Sequence, residues 1–71
     1  MAGIVRVVEA EEDRSLIVLV DWVGFEVEER TWEPLKSIFE VAPEFLVKEV
    51  RKLRVTRVVA ARIQREFGIQ L

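Results

Sequence analysis

The stretch LIVLVDW, residues 16–22, decides how the rest of this chain is arranged. Four apolar side chains alternate on one face of an extended backbone, and Ile17 and Leu19 make the other face apolar as well. A half-exposed strand alternates apolar with polar residues, whereas a strand in the middle of a covered sheet does not. The pattern therefore predicts a central strand that is covered on both sides.

Two neighbouring strands are predicted from the flanking sequence. Residues 4–10 are rich in β-branched side chains, and the turn-like acidic cluster at residues 11–14 separates them from residues 16–22. This arrangement predicts a β-hairpin. A third short strand is predicted at residues 30–33, because Pro34 cannot donate a hydrogen bond to a ladder and ends it.

A first helix is predicted to begin at Pro43, a residue that suits the first helical position. Leu46, Val50 and Leu53 follow at the spacing of one helix face, and basic residues cluster toward the negative end of the helix dipole. The apolar face is expected to pack on the sheet.

A second helix is predicted at residues 57–67. Thr56 is suited to its N-cap, apolar residues recur every four positions along it, and Gly68 is suited to its end. Residues 55–56 disfavour helix only weakly, so two separate helices and one bent helix are alternatives.

Composition limits the class of function. The chain has 71 residues, of which 51% are hydrophobic and 34% charged, as expected of one small folded domain. It has no cysteine and no histidine, so thiol or imidazole catalysis, disulfides and ordinary zinc sites are excluded, and we predict no enzyme activity, metal or cofactor. Its longest uncharged apolar run, residues 16–20, is too short for a membrane span, and acidic residues 9–13 interrupt any signal-peptide core. A soluble, intracellular chain with no membrane partner is expected.

Charge is distributed unevenly along the chain. Residues 1–46 contain four basic and eleven acidic residues, a net charge of −7, whereas residues 47–71 contain seven basic and two acidic residues, a net charge of +5. The split favours a cationic partner for the first part and an anionic partner for the second. Internal charge complementarity and solvation explain it equally well.

Aromatic and acidic side chains come together after the central strand. Trp22 and Phe25 flank a predicted turn, so their rings can converge, and Glu28 or Glu29 adds negative charge beside them. Aromatic faces with a carboxylate can hold a methylated ammonium group. The alternative is that both aromatic residues, with Trp32, form the core of a small sheet.

The strings VDWVGF at residues 20–25 and ERTWEPL at residues 29–35, followed by APEFL at residues 42–46, resemble the chromodomain signature. The resemblance covers about residues 3–53. The longer TWEPLxxI form at residues 31–38 and the basic extension are similar to chromodomains at the C-terminus of integrases of gypsy-type LTR retrotransposons.

The resemblance implies an α+β fold, in which a helix packs across one end of a three-stranded antiparallel sheet. We expect residues 1–54 to form this chromodomain-like module and residues 55–71 to form a basic amphipathic helical extension. The implied function is nuclear: a non-catalytic module binds a histone tail, and it tethers an integrase to chromatin where the retrotransposon context applies.

The resemblance also implies a methyl-lysine cage, which this chain has only in part. Two cage aromatics fall on Trp22 and Phe25, and the acidic neighbour falls on Glu29. The third aromatic position falls on Gly3, so the cage lacks a wall unless an aromatic residue from upstream or from elsewhere in the fold fills it.

A peptide groove is implied next to the cage, because such chromodomains insert the histone tail as an extra strand between their N-terminal segment and the segment before the helix. Two polar positions that clasp the peptide fall on Ser37 and Phe39, and Phe39 departs from the family pattern. An unmodified peptide or a second copy of the chain is the alternative occupant. The groove residues are Ile4, Val5, Leu35, Ser37 and Phe39.

The basic tail favours two further functions. Its arginines predict contacts with nucleic-acid phosphates, and its long apolar stripe predicts a homodimer of chromo-shadow-like type. The plain alternative is that the second helix folds back on its own sheet. The tail residues concerned are Arg57, Arg62, Ile63, Arg65 and Phe67.

Overall fold

The computed structural model describes residues 1–24 and 26–71, apart from the side chain of Val27. Within these residues, three strands precede three α-helices, and one turn of 3-10 helix lies between the second and third strands. The strands are β1 Gly3–Glu9, β2 Leu16–Asp21 and β3 Thr31–Pro34. The helices are α1 Leu35–Val41, α2 Pro43–Lys52 and α3 Arg57–Phe67. The 3-10 turn is Val27–Glu29.

The sheet is antiparallel, with β2 in the centre and the order β1-β2-β3. The predicted hairpin, central strand and α+β fold class are confirmed. A bulge between Ile4 and Arg6 shifts the register of β1. Because a bulge adds one residue to the strand, Ile4 and Val7 both face the core although they are three positions apart.

The two faces of β2 differ in burial. One face lies in the core, whereas Ile17 and Leu19 on the other are only half-buried. The prediction that both faces are covered is wrong, since the helices contribute to the core on one face alone. The second face is shielded by neighbours in the sheet, such as Trp32 opposite Leu19, and Trp32 itself is 47% exposed.

The core, as far as the described residues go, is one set of side chains from β1, β2 and all three helices. Its α3 members are Val59 and Ile63, and Ile69 joins it from the segment after the helix. The remaining buried residues are Ile4, Val7, Leu16, Val18, Val20, Leu35, Ile38, Leu46 and Val50. The second predicted helix therefore packs on the same core as the sheet.

Helix α1 is not predicted by the sequence pattern. It begins directly after Pro34, spans seven residues and has no side-chain hydrogen bond at its N-cap. Such a short helix carries no cap signature in the sequence, and Leu35 and Ile38 stabilise it by packing into the core. Ala42 ends α1 with a non-helical backbone and leads into α2 at Pro43.

Helices α2 and α3 are separate, which resolves the alternatives left by the sequence. Leu53 is extended, with φ −87° and ψ 150°. Thr56 Oγ1 accepts a hydrogen bond from the Val59 N–H at 3.2 Å, as expected of an N-cap. Gly68 ends α3 in the left-handed region, with φ 68°. None of the helices in the described ranges combines the length and the apolar character needed to cross a bilayer.

Candidate functional site

Trp22, a residue of the predicted cage, directly follows β2. Its indole Nε1–H donates to Thr31 Oγ1 at 2.8 Å, which fixes the ring against the first residue of β3. The side chain packs partly on the core and partly faces solvent. Trp22 thus presents an oriented aromatic surface at the end of the sheet.

Gly3 lies close to this end of the sheet, because the register pairs it with Asp21, the residue before Trp22. A Cβ atom at Gly3 would lie 2.9 Å from Glu49 Oε1. The space beside the predicted third cage position therefore holds a carboxylate from α2. A larger residue at position 3 requires that side chain to move.

Glu49 connects α2 to β1. Its Oε1 accepts the Ile4 N–H at 3.3 Å, and its Oε2 accepts from Lys52 Nζ at 3.0 Å. The Lys52 hydrogen bond and, to a smaller extent, the Ile4 N–H lower the pKa of the Glu49 carboxyl. Its side chain is 14% exposed, so the carboxylate lies in the junction between helix and sheet.

Glu49 is not among the candidate residues that the sequence pattern predicts. A signal was present, since Glu49 is one of only two acidic residues among residues 47–71. The sequence does not say that the partner of this carboxylate is the edge of β1.

The acidic rim of the predicted cage is exposed. Glu28 and Glu29 lie in the 3-10 turn, and Glu29 Oε2 accepts the Glu26 N–H at 3.3 Å. Asp21 pairs with Arg30 at 3.4 Å, which offsets one negative charge next to Trp22. Phe25, the second predicted cage aromatic, lies outside the described residues.

Two of the five residues of the predicted peptide groove are buried. Ile4 and Leu35 are core residues, and the Phe39 ring packs on Phe67 with centroids 5.3 Å apart. Val5 and Phe39 are half-buried, and Ser37 is exposed. Residues 35–41 form α1, and Phe67 of α3 lies against Phe39, so the peptide groove stays a prediction.

The tail residues divide into two groups. Ile63 is completely buried and Phe67 is half-buried against Phe39, so Ile63 offers no contact to a second copy in this fold. Among the apolar residues of the tail, Val59, Ile63 and Ile69 are buried, whereas Val58 and Leu71 are exposed, so the homodimer stays a prediction. Arg57 and Arg65 are exposed.

Arg62, a predicted nucleic-acid contact, joins α3 to the β1–β2 hairpin. Its guanidinium donates to Glu66 Oε2 at 2.7 Å, to Glu9 Oε2 at 2.8 Å and to the Arg14 carbonyl. The hydrogen bonds to Glu66 and Glu9 raise the pKa of Arg62, and Arg62 lowers the pKa of Glu66. This arginine is engaged within the chain.

Among the described residues, no three potential metal-binding side chains form a group. The geometry offers binding surfaces: an oriented indole at Trp22, exposed carboxylates in the 3-10 turn and exposed arginines on α3.

Comparison with known proteins gives a partial match to a chromodomain protein. No protein-family model and no solved structure matches the chain. Chromo domain-containing protein cec-3 of Caenorhabditis elegans is 39% identical over 44 residues, which cover 62% of this chain and 13% of the relative. The similarity supports the chromodomain family for this chain and suggests a non-catalytic binding module, in keeping with the sheet and helix order.

Proposed function

We propose that this chain is a non-catalytic, chromatin-binding chromodomain module that binds a lysine-rich histone tail beside Trp22. The observation that carries the proposal is the indole held by Thr31 and partly open to solvent at the end of β2. The surrounding residues 1–46 have a net charge of −7, which favours a cationic peptide. The partial similarity to a chromo domain-containing protein supports the same function and a nuclear location.

Recognition of the methyl group is proposed to be weak. Gly3 supplies no aromatic face, and one cation–π contact contributes about 0.5 to 2 kcal/mol, or roughly a two- to thirtyfold change in affinity. The module is therefore expected to bind methylated and unmodified lysine peptides with a smaller difference than a complete cage gives.

Calorimetry with histone-tail peptides in unmodified and trimethyl-lysine forms tests the site. Trp22→Ala is expected to abolish binding, while Trp32→Ala serves as the matched control because Trp32 lies in a different strand on the exposed sheet face. Equal losses in the two variants, or no binding of any tail peptide, would contradict the proposal.

The missing wall can be tested by adding an aromatic residue. Gly3→Tyr is expected to raise the preference for trimethyl-lysine severalfold, once the Glu49 carboxylate has moved aside. Gly3→Leu is the control, since it adds bulk without an aromatic face. The same gain in both variants would indicate a steric effect rather than a cage.

A second candidate function is nucleic-acid binding through Arg57 and Arg65. Both residues are exposed on α3, and no ion pair involves either among the described residues. If they bind phosphates, Arg57→Glu with Arg65→Glu reduces the slope of log affinity against log salt by about 0.9 for each phosphate that is no longer neutralised. Lys36→Glu on α1 is the control, and an unchanged slope in the arginine variant would exclude this function.

The proposal also includes a biological role, in which this chain tethers a retrotransposon integrase to chromatin. It rests on the TWEPLxxI pattern at residues 31–38 and on the basic extension. Fusion of this chain to an integrase is expected to direct DNA insertion to the chromatin that this chain binds. Trp22→Ala is expected to remove that preference.

A further inference from the structure

We propose that the free edge of β1 is a second peptide-binding site, which takes an extended segment of a partner protein rich in acidic and apolar residues. Residues 5–8 form one wall of a groove of about 260 Å³, and residues 53–56 form the other. The second wall of this groove, residues 53–56, follows α2 in the chain. The implied histone groove uses the segment that precedes α2. Val5 belongs to both grooves, but Trp22 does not line this one, so the proposal does not depend on the indole.

The backbone of β1 offers hydrogen bonds to this groove. Ala10 N–H donates to the Ser15 carbonyl at 2.8 Å, so this pair is a hydrogen-bonded one. Hydrogen-bonded pairs alternate along an antiparallel ladder, which places Val8 and Arg6 in hydrogen-bonded pairs with β2 as well. The N–H and carbonyl groups of Val7 then point away from β2, toward the free edge.

One backbone N–H group on this edge of β1 already has a hydrogen-bond partner within the protein. Ile4 N–H, beyond the bulge, is satisfied by the Glu49 carboxylate at 3.3 Å. Farther along, no hydrogen bond in the described part of the chain crosses from residues 5–8 to residues 53–56. A strand added to an exposed sheet edge makes the hydrogen bonds that such an edge lacks.

The opposite wall suits an inserted strand. Leu53 and Thr56 both have extended backbones, with ψ of 150° and 159°. Val5 and Val55 are half-buried in the groove and provide apolar contacts for alternate side chains.

Positive charge on both walls of the groove favours an acidic peptide. Arg6 and Arg54 lie on opposite walls, both are exposed, and neither has an ion-pair partner among the described residues. Two guanidinium groups across one groove favour carboxylates and disfavour a lysine-rich tail. The preferred peptide is thus opposite in charge to the ligand proposed for Trp22.

The test uses the full chain, labelled with 15N, and two capped eight-residue peptides. One alternates valine with glutamate, and the other alternates valine with lysine. We expect the glutamate peptide alone to shift the amide signals of residues 5–8 and 53–56. A second form of the glutamate peptide is N-methylated at those alternate backbone nitrogens whose N–H groups face β1. Because these nitrogens can no longer donate hydrogen bonds to the strand, binding is expected to weaken at least tenfold.

Variants then assign the charge contribution. Arg54→Glu is expected to weaken the glutamate peptide about three- to tenfold, whereas Arg65→Glu on α3 and Trp22→Ala leave its affinity unchanged. Equal affinity for the two peptides, no binding of the glutamate peptide, or shifts confined to α3 would overturn the proposal. Loss of histone-tail binding in Trp22→Ala with the glutamate peptide still bound separates this site from the first.

Discussion

At the scale of single residues, neighbours of the same chemical type have different environments. Val58 and Val59 are adjacent in α3, yet their exposed fractions are 62% and 5%. The difference arises because only Val59 lies on the helix face that packs into the core. The two positions therefore form a matched pair for measuring that packing.

Val59→Ala is predicted to lower the free energy of unfolding by about 1 to 3 kcal/mol, because it removes buried methyl groups and leaves a cavity. Val58→Ala is expected to change it by less than about 0.5 kcal/mol, as is usual for surface substitutions. Urea denaturation followed by circular dichroism measures both. Equal effects would mean that α3 does not pack on the sheet as described.

At the scale of elements, helices and strands are held by contacts at their ends. Thr56 caps α3, Arg62 braces α3 to the hairpin, and Glu49 joins α2 to the edge of β1. Each contact satisfies a polar group that packing alone would leave without a protein partner.

Thr56→Ala is predicted to lower the free energy of unfolding by about 0.5 to 2 kcal/mol, because the Val59 N–H loses its acceptor. Thr56→Ser keeps the hydroxyl oxygen and is expected to retain most of the stability. Thermal unfolding of the three proteins provides the comparison, and a serine variant as unstable as the alanine variant would rule out the capping contribution.

The junction between α2 and β1 is predicted to depend on pH. Hydrogen bonding by Lys52 and the Ile4 N–H lowers the pKa of Glu49 from its ordinary value of 4.5. The stabilisation is therefore complete well above that value and is lost as the pH falls through the lower pKa of the folded state.

Glu49→Gln removes this titration, so the free energy of unfolding should decline less steeply between about pH 5 and pH 3. Urea titrations at several pH values measure the decline. Glu40→Gln, at an exposed position on α1, is the control. A slope that Glu49→Gln leaves unchanged would show that the carboxylate does not link helix and sheet.

At the scale of the whole molecule, the acidic body and the basic extension share one core. Val59, Ile63 and Ile69 supply three of the buried side chains described in it. Full burial of one such side chain contributes about 1.5 to 3 kcal/mol, and the total stability of a 71-residue domain is about 4 to 10 kcal/mol. The contribution of the extension is thus comparable to the total.

The chain truncated after residue 54 is predicted to lose cooperative unfolding. Thermal denaturation and amide-signal dispersion compare it with the full chain. If the truncated chain instead unfolds cooperatively near the midpoint of the full chain, residues 1–54 are an independent module with a separable extension. Binding tests consequently use substitutions such as Arg57→Glu rather than removal of α3.

The sequence by itself determined the features that depend on neighbours along the chain. The apolar run at residues 16–22 specifies the central strand, Pro43 and Thr56 specify where two helices begin, and Gly68 specifies where the last one ends. Each signal acts through local backbone geometry or local hydrogen bonding, which a linear pattern records.

Only the tertiary structure decided which surfaces remain available for binding. Glu9 and Arg62 are 53 positions apart in the chain and form an ion pair, and Glu49 reaches the Ile4 N–H across 45 positions. From the sequence, Phe39 is predicted to line a peptide groove and Ile63 to form a dimer contact. In the structure, Phe39 packs on Phe67 and Ile63 is buried in the core. Such contacts depend on how the helices cross the sheet, and side-chain periodicity specifies a face without specifying what covers it.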